Sequence, residues 1–170
     1  MRLISFPPVI APDATVLILG SMPGSRSLRV GQYYGHPHNN FWPFMQEIFG
    51  IERTLPYAQR LELVKAVGVA LWDVLKECER EGSLDVAIVP DSELPNDFHW
   101  LLGAYPAIQR ICFNGRKAET AFTRHVLPTL EPARRAALTL VPLPSTSPAN
   151  RGISTDEKLA RWRNALLGEW

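Results

Sequence analysis

Cysteine is scarce in this chain of 170 residues: only Cys78 and Cys112 occur, 34 positions apart and with no Cys-x-x-Cys pair. That spacing argues against a zinc ribbon, a cysteine-ligated iron–sulfur cluster and a disulfide framework, and both residues read as packed thiols. Long apolar runs are missing too. No stretch approaches the roughly 18 residues a membrane helix needs, and the opening MRLISFPPVIAPD lacks the charged-then-apolar order of a signal peptide, so a cytoplasmic protein without membrane contact is expected. Four histidines, with no acidic residue near His36-Pro-His38, are too few to assemble a metal site readily, and no metal is expected. Charge of one sign is also lacking, the net being +1, so a polyanionic partner must be met by local charge. What the chain does have is 46% hydrophobic residues, enough for one globular domain over residues 1–170, expected to act as a monomer.

The local charges are unevenly spread. Residues 14–46, 98–118 and 132–155 contain no Asp or Glu but carry Arg26, Arg29, Arg110, Arg116, Lys117, Arg134, Arg135 and Arg151. Eleven of the 17 acidic residues fall between Glu47 and Asp97. Such separation is expected if three loops share one face turned toward an anion, and it also arises from chance spacing.

Periodicity predicts alternating strands and helices. Thr15–Leu19 (TVLIL), Val69–Val74, Ala107–Phe113 and Leu138–Leu143 are short apolar, β-branched runs that read as buried strands. Helices are predicted over Asn39–Phe49, Tyr57–Val67 behind Pro56, residues 96–104 capped by Asn96 or Asp97, Arg116–His125, and Ser154–Leu167, where STDE forms a capping box. A polar stretch with a turn at Gly82 follows the second strand. The pattern implies a mostly parallel sheet covered by helices on both faces, with ligands bound beyond the carboxyl ends of the strands. The three acid-free segments leave strands at that rim.

Several chemistries fit residues at the rim. GSMPGS (20–25) resembles a phosphate-cradling loop but lacks the Gly-Lys-Ser/Thr ending, and no Gly-x-Ser-x-Gly elbow surrounds Ser145 or Ser147. A flavodoxin-like module, with phosphate on Gly20–Ser25 and Ser145–Ser147 and a flavin stacked on Tyr34, is an alternative from outside the enzyme classes. Asn39 fits a helix cap before Phe41. Asp73 fits a turn cap at a strand end, and Asn114 fits a turn residue before glycine.

Taken together, GSMPG after the first strand, HPHNNFW behind it, GVALWD, CFNG and LPSTSPAN resemble the uracil-DNA glycosylase superfamily, in order over residues 15–152. Within it the chain is most similar to the hypoxanthine (deoxyinosine) DNA glycosylases, with the mismatch-specific uracil glycosylases next. The resemblance implies a three-layer α/β/α sandwich around a four-stranded, mostly parallel sheet. It also implies a monofunctional enzyme of base excision repair that flips hypoxanthine from DNA and hydrolyses its N-glycosidic bond without a cofactor, with uracil or xanthine as lesser substrates.

The resemblance assigns roles and exposes departures. Met22 stands where relatives carry a catalytic Asp or Asn, and the hypoxanthine family moves that duty to the asparagine of its HPxN segment, here Asn39. Tyr34 takes the place of a stacking Phe, with Tyr33 or Trp42 as alternatives. Asp73 replaces an asparagine that reads pyrimidines, and Ser21, Met22 and Asn114 complete the base pocket. Leu143 stands where uracil-specific members carry a histidine that stabilises the departing anion. Pro23, Gly24, Arg26, Pro144, Ser145, Thr146, Ser147, Asn150 and Arg151 are expected against DNA, with Asn150 or Arg151 filling the vacated stack. No motif lysine is placed for strand cleavage, so an abasic site is the expected product.

Overall fold

The computed structural model describes residues 2–168. In chain order the elements are β1 (Arg2–Ile4), β2 (Val16–Gly20), α1 (Ser25–Val30), α2 (Phe41–Phe49), α3 (Tyr57–Ala66), β3 (Val69–Asp73), β4 (Leu75–Glu79), β5 (Leu94–Pro95), α4 (Phe98–Ala104), β6 (Arg110–Asn114), α5 (Arg116–His125), α6 (Pro132–Ala136), β7 (Thr139–Leu143) and α7 (Thr155–Leu167). Every predicted strand and helix is present, with ends shifted by up to three residues. Asp97, not Asn96, caps α4 by accepting from Trp100 N at 3.0 Å, and Ser154 Oγ accepts from Glu157 N at 3.2 Å at the start of α7.

The main sheet runs β3-β2-β6-β7, and every neighbouring pair is parallel. Successive side chains of a strand face opposite sides, so β2 divides its residues between two cores. Leu17 and Leu19 join Trp72, Ile111 and Phe113 beneath α4 and α5, where Phe98, Leu101 and Phe122 pack. Val16 and Ile18 join Leu71, Cys112 and Leu143 beneath α2 and α7, where Phe41, Met45 and Trp162 pack. Each fully buried Leu or Phe contributes about 1.5–3 kcal/mol of transfer free energy, so a strand apolar on both faces is stable only as the middle of such a sandwich. Both cysteines are free and buried; burial pushes the Cys112 thiol up to about 12.

Strict strand–helix alternation fails between Val74 and Asn96. There β4 pairs antiparallel with β1 and β5 in a second, three-stranded sheet. In this sheet β4 is the middle strand; Leu75 and Cys78 are buried, whereas Lys76 and Glu79, which made the stretch look like a loop, are exposed. The segment between β4 and β5 forms a strap that returns over the carboxyl end of β2. Arg80 fixes it from within: its Nε donates to Gly82 O and one Nη to Pro23 O, each at 2.8 Å. Near β5, buried Glu93 accepts from Lys117 Nζ at 2.6 Å and pairs with His125 Nε2 at 2.9 Å. Burial works to raise the Glu93 carboxyl, but these two partners hold it below its ordinary range.

Candidate active site at the carboxyl ends of the strands

A cavity of about 610 Å³ opens where β2, β3 and β6 end, within the range of ~300–1,000 Å³ usual for ligand sites. Its floor is Gly20 and Asp73, neighbours in register on β2 and β3. A Cβ on Gly20 would lie 2.5 Å from Asp73 Oδ1 and 3.5 Å from the Tyr34 hydroxyl oxygen, so only glycine lets these groups converge. Asp73 is 4% exposed, and its Oδ2 makes no hydrogen bond. Burial first, then the charge of Asp85, raises its carboxyl to about 7, against the pull of Arg80.

Tyr34 has φ +55°, a left-handed conformation that costs an ordinary side chain about 1–3 kcal/mol. The strain turns its ring into the cavity, backed by Phe41 at a centroid distance of 4.0 Å. Its hydroxyl is buried without a partner; burial and then Asp73 raise its pKa, with Asn114 opposing. The two alternative stackers are committed to the framework. Tyr33 is buried, with its hydroxyl donated to Pro7 O at 2.8 Å, and Trp42 donates Nε1 to Tyr33 O at 2.9 Å beneath the Arg60 guanidinium.

Asn39 precedes α2 and lines the cavity. Its Oδ1 accepts from Phe41 N at 2.9 Å, so the cap-like bond exists, and it leaves the Nδ2 group and a second Oδ1 lone pair for a ligand. The two readings of this residue are therefore compatible. Its position is fixed through a chain of bonds: Asn40 N donates to Thr146 O at 3.0 Å, and Thr146 is clamped by Asn114. Asn114 Nδ2 donates to Thr146 Oγ1 and its Oδ1 accepts from Thr146 N, both at 2.9 Å. Asn114 thus spends one bond from each end of its amide on holding the β7 loop, and keeps one N–H and one lone pair for the cavity.

The remaining expected residues divide. Ser21, Met22, Pro23, Gly24 and Arg26 line the cavity; Met22 is buried among Leu19 and Trp72 and presents no hydrogen-bonding group. Ser145, Thr146, Ser147 and Asn150 line the opposite side, where Ser145 and Ser147 cap their own loop by accepting from Ser147 N and Ala149 N. Pro144 sits behind, its carbonyl accepting from Trp162 Nε1 at 2.9 Å, and exposed Arg151 lies outside the lining. The three acid-free segments do meet here, but several of their cations are engaged within the fold. Arg134 donates to Ile108 O, Arg110 to Ala165 O, and Lys117 is bound to Glu93.

The reading of the sequence missed the strap. Ser83, Leu84, Asp85 and Val86 form the cavity's remaining wall, so the acid-rich part of the chain reaches the site after all. Ser21 Oγ donates to Asp85 Oδ1 at 2.6 Å, and Ser25 N donates to Ser83 Oγ at 3.0 Å. Gly82, in a left-handed turn at φ +70°, was the one local signal that the chain reverses there.

The sequence profile described as the uracil DNA glycosylase superfamily matches residues 7–166. The chain belongs to the uracil DNA glycosylase superfamily. A protein named hypoxanthine DNA glycosylase from Methanosarcina acetivorans is 39% identical over 155 residues, 90% of this chain and 91% of that one. A protein of the same name from Methanosarcina barkeri is 43% identical over 119 residues, 69% of this chain and 74% of its own. The solution NMR structure of a candidate uracil DNA glycosylase from Methanosarcina acetivorans superposes with a TM-score of 0.80 at 37% identity, covering 98% of this chain and 97% of that one. In this superfamily member the cavity just described coincides with all five sequence motifs.

Proposed function

We propose that the protein is a monofunctional DNA glycosylase that extrudes deoxyinosine and hydrolyses its N-glycosidic bond. The observation that carries the reading is the pairing of apolar Met22 with an Asn39 amide free to hold a water in the same cavity. The names of the two relatives support hypoxanthine as the base.

In this mechanism the flipped base stacks on Tyr34, which replaces the neighbours it loses in the duplex. Asp73 accepts the N1–H that hypoxanthine carries and adenine lacks. As the C1′–N9 bond lengthens, the sugar gains positive charge, and Asn39 holds a water against its far face. An amide is too weak a base to ionise that water, so its work is positioning. Arg26 and the backbone of the 20–24 and 145–150 loops meet the phosphates. Leu143 and Met22 offer nothing to a departing uracil anion, which makes uracil and xanthine lesser substrates.

A phosphate-binding module fits less well. The Ser21 hydroxyl a phosphate would need is already given to Asp85, whose carboxylate would face the anion. The test is single-turnover release of hypoxanthine from a deoxyinosine duplex by the wild type and Asn39→Ala. A loss of at least about 100-fold with retained binding to abasic-site DNA is expected. Release within a few-fold of wild type removes Asn39 from the mechanism.

A further inference from the structure

Two carboxyl groups converge behind the base pocket, and neither the strap nor its charge figured in the motifs. Asp73 is buried on β3 with Oδ2 unpartnered beside the cavity. Asp85 approaches from the strap, held by Ser21 Oγ at 2.6 Å. The other groups that act on Asp73 are the neutral phenols of Tyr33 and Tyr34 and the guanidinium of Arg80, whose Nε and one Nη donate to Gly82 O and Pro23 O while its second Nη is buried without a hydrogen-bond partner.

Resting on the glycosylase reading above, we propose that Asp73 enters the reaction as the neutral acid and that Asp85 is the positioning residue that keeps it so. A neutral carboxyl matches the lactam edge of hypoxanthine at both atoms: its carbonyl oxygen accepts N1–H, while its O–H donates to O6. The N–H acceptance assigned above is retained, and a donor is added where negative charge develops on the leaving base. When C1′–N9 breaks, the bonding pair goes to the base and the Asp73 proton moves onto it. The water held by Asn39 delivers hydroxide to C1′, and its released proton restores Asp73. Neutral hypoxanthine and an abasic sugar result, with one water consumed. The acid does the work that a histidine at the position of Leu143 performs in uracil-specific relatives.

The carboxyl raised to about 7 agrees with this arrangement, and so does its cause, burial reinforced by the Asp85 charge. Hypoxanthine release by the wild type should then fall about tenfold per pH unit above that value. Asp85→Asn keeps an acceptor for Ser21 but removes the charge, so the descending limb should move to lower pH by on the order of half a unit or more. Asp73→Asn carries a permanent N–H donor and a carbonyl in the same place. Because an amide cannot give up a proton, release should fall by on the order of 100-fold at pH 6, and what remains should lack the limb altogether. Folding of each variant is followed by circular dichroism, and either one alone decides the matter. Release that rises with pH through 7, a limb that stays in place in Asp85→Asn, or a folded Asp73→Asn that keeps wild-type release would overturn the inference. No hypoxanthine release by the wild type at any pH would instead overturn the glycosylase reading on which it rests.

Discussion

The two sides of the cavity were built by different means. The loop after β2 and the segment before α2 carry their chemistry in contiguous residues, GSMPG and HPHNN, fixed by local turns and by the helix that follows. The strap supplies Ser83 and Asp85 from a region with no strong local preference, held in place by Arg80 and by hydroxyls of the opposite wall. In the proposed mechanism one wall holds the reacting water and the stacking ring, and the other sets the electrostatics of the base reader. Motifs thus mark where the chemistry happens, whereas the charge that tunes it comes from a tertiary contact.

If both walls must close on one point, the sharpest break comes at their junction. Gly20→Ala drives a methyl against Asp73 Oδ1, so we expect hypoxanthine release to drop at least about tenfold, with overpacking costing about 1–3 kcal/mol in denaturant unfolding. Activity and stability equal to wild type would mean that the floor is looser than it looks. Asp73→Asn separates function from stability. Because the folded carboxyl titrates at about 7, above its unfolded value, wild-type stability is full below the unfolded value and is lost as pH rises through 7. The variant should therefore be more stable than wild type at pH 8, by on the order of 2 kcal/mol, with little difference at pH 4. The absence of such a crossover in urea unfolding contradicts an acid held neutral.

A smaller effect probes the motif wall. Met22→Asn restores a polar side chain where relatives keep one, and uracil release should rise a few-fold while hypoxanthine release changes little. Flat uracil release from a folded variant removes the explanation given for that departure. The smallest effect concerns charge. With a net charge of +1 and Arg26 in the cavity lining, the slope of log K against log salt for abasic-site DNA should be about −3 to −5. Arg26→Ala should flatten it by about one unit, and Lys117→Ala, already paired with Glu93, should leave it unchanged.

The main sheet was legible because β2, β3 and β6 are apolar at nearly every position, which only a strand buried on both faces requires. The motifs placed Asn39, Tyr34, Asp73 and Asn114 at one rim because strand ends of a parallel sheet lie together. β1, β4 and β5 were not legible: three residues, five and two, their pairing is set by partners more than 70 positions apart in the case of Leu3 and Cys78. Nor could counting acids reveal that Asp85 folds over the cavity, since the bond its side chain accepts from Ser21 spans 64 positions. Charge separation along the chain was read as separation in space, and that step failed because Lys117, Arg110 and Arg134 serve the fold.

The central claim, that both walls together form a deoxyinosine-specific excision site, is tested most directly by single-turnover base release from matched duplexes. These carry one deoxyinosine, deoxyuridine, deoxyxanthosine or deoxyadenosine at the same position, with the abasic product revealed by alkali. The account predicts fastest release of hypoxanthine, slower release of xanthine and uracil, none of adenine, and no strand scission without alkali. Uracil released faster than hypoxanthine, or no base released from any duplex by folded protein, would contradict it.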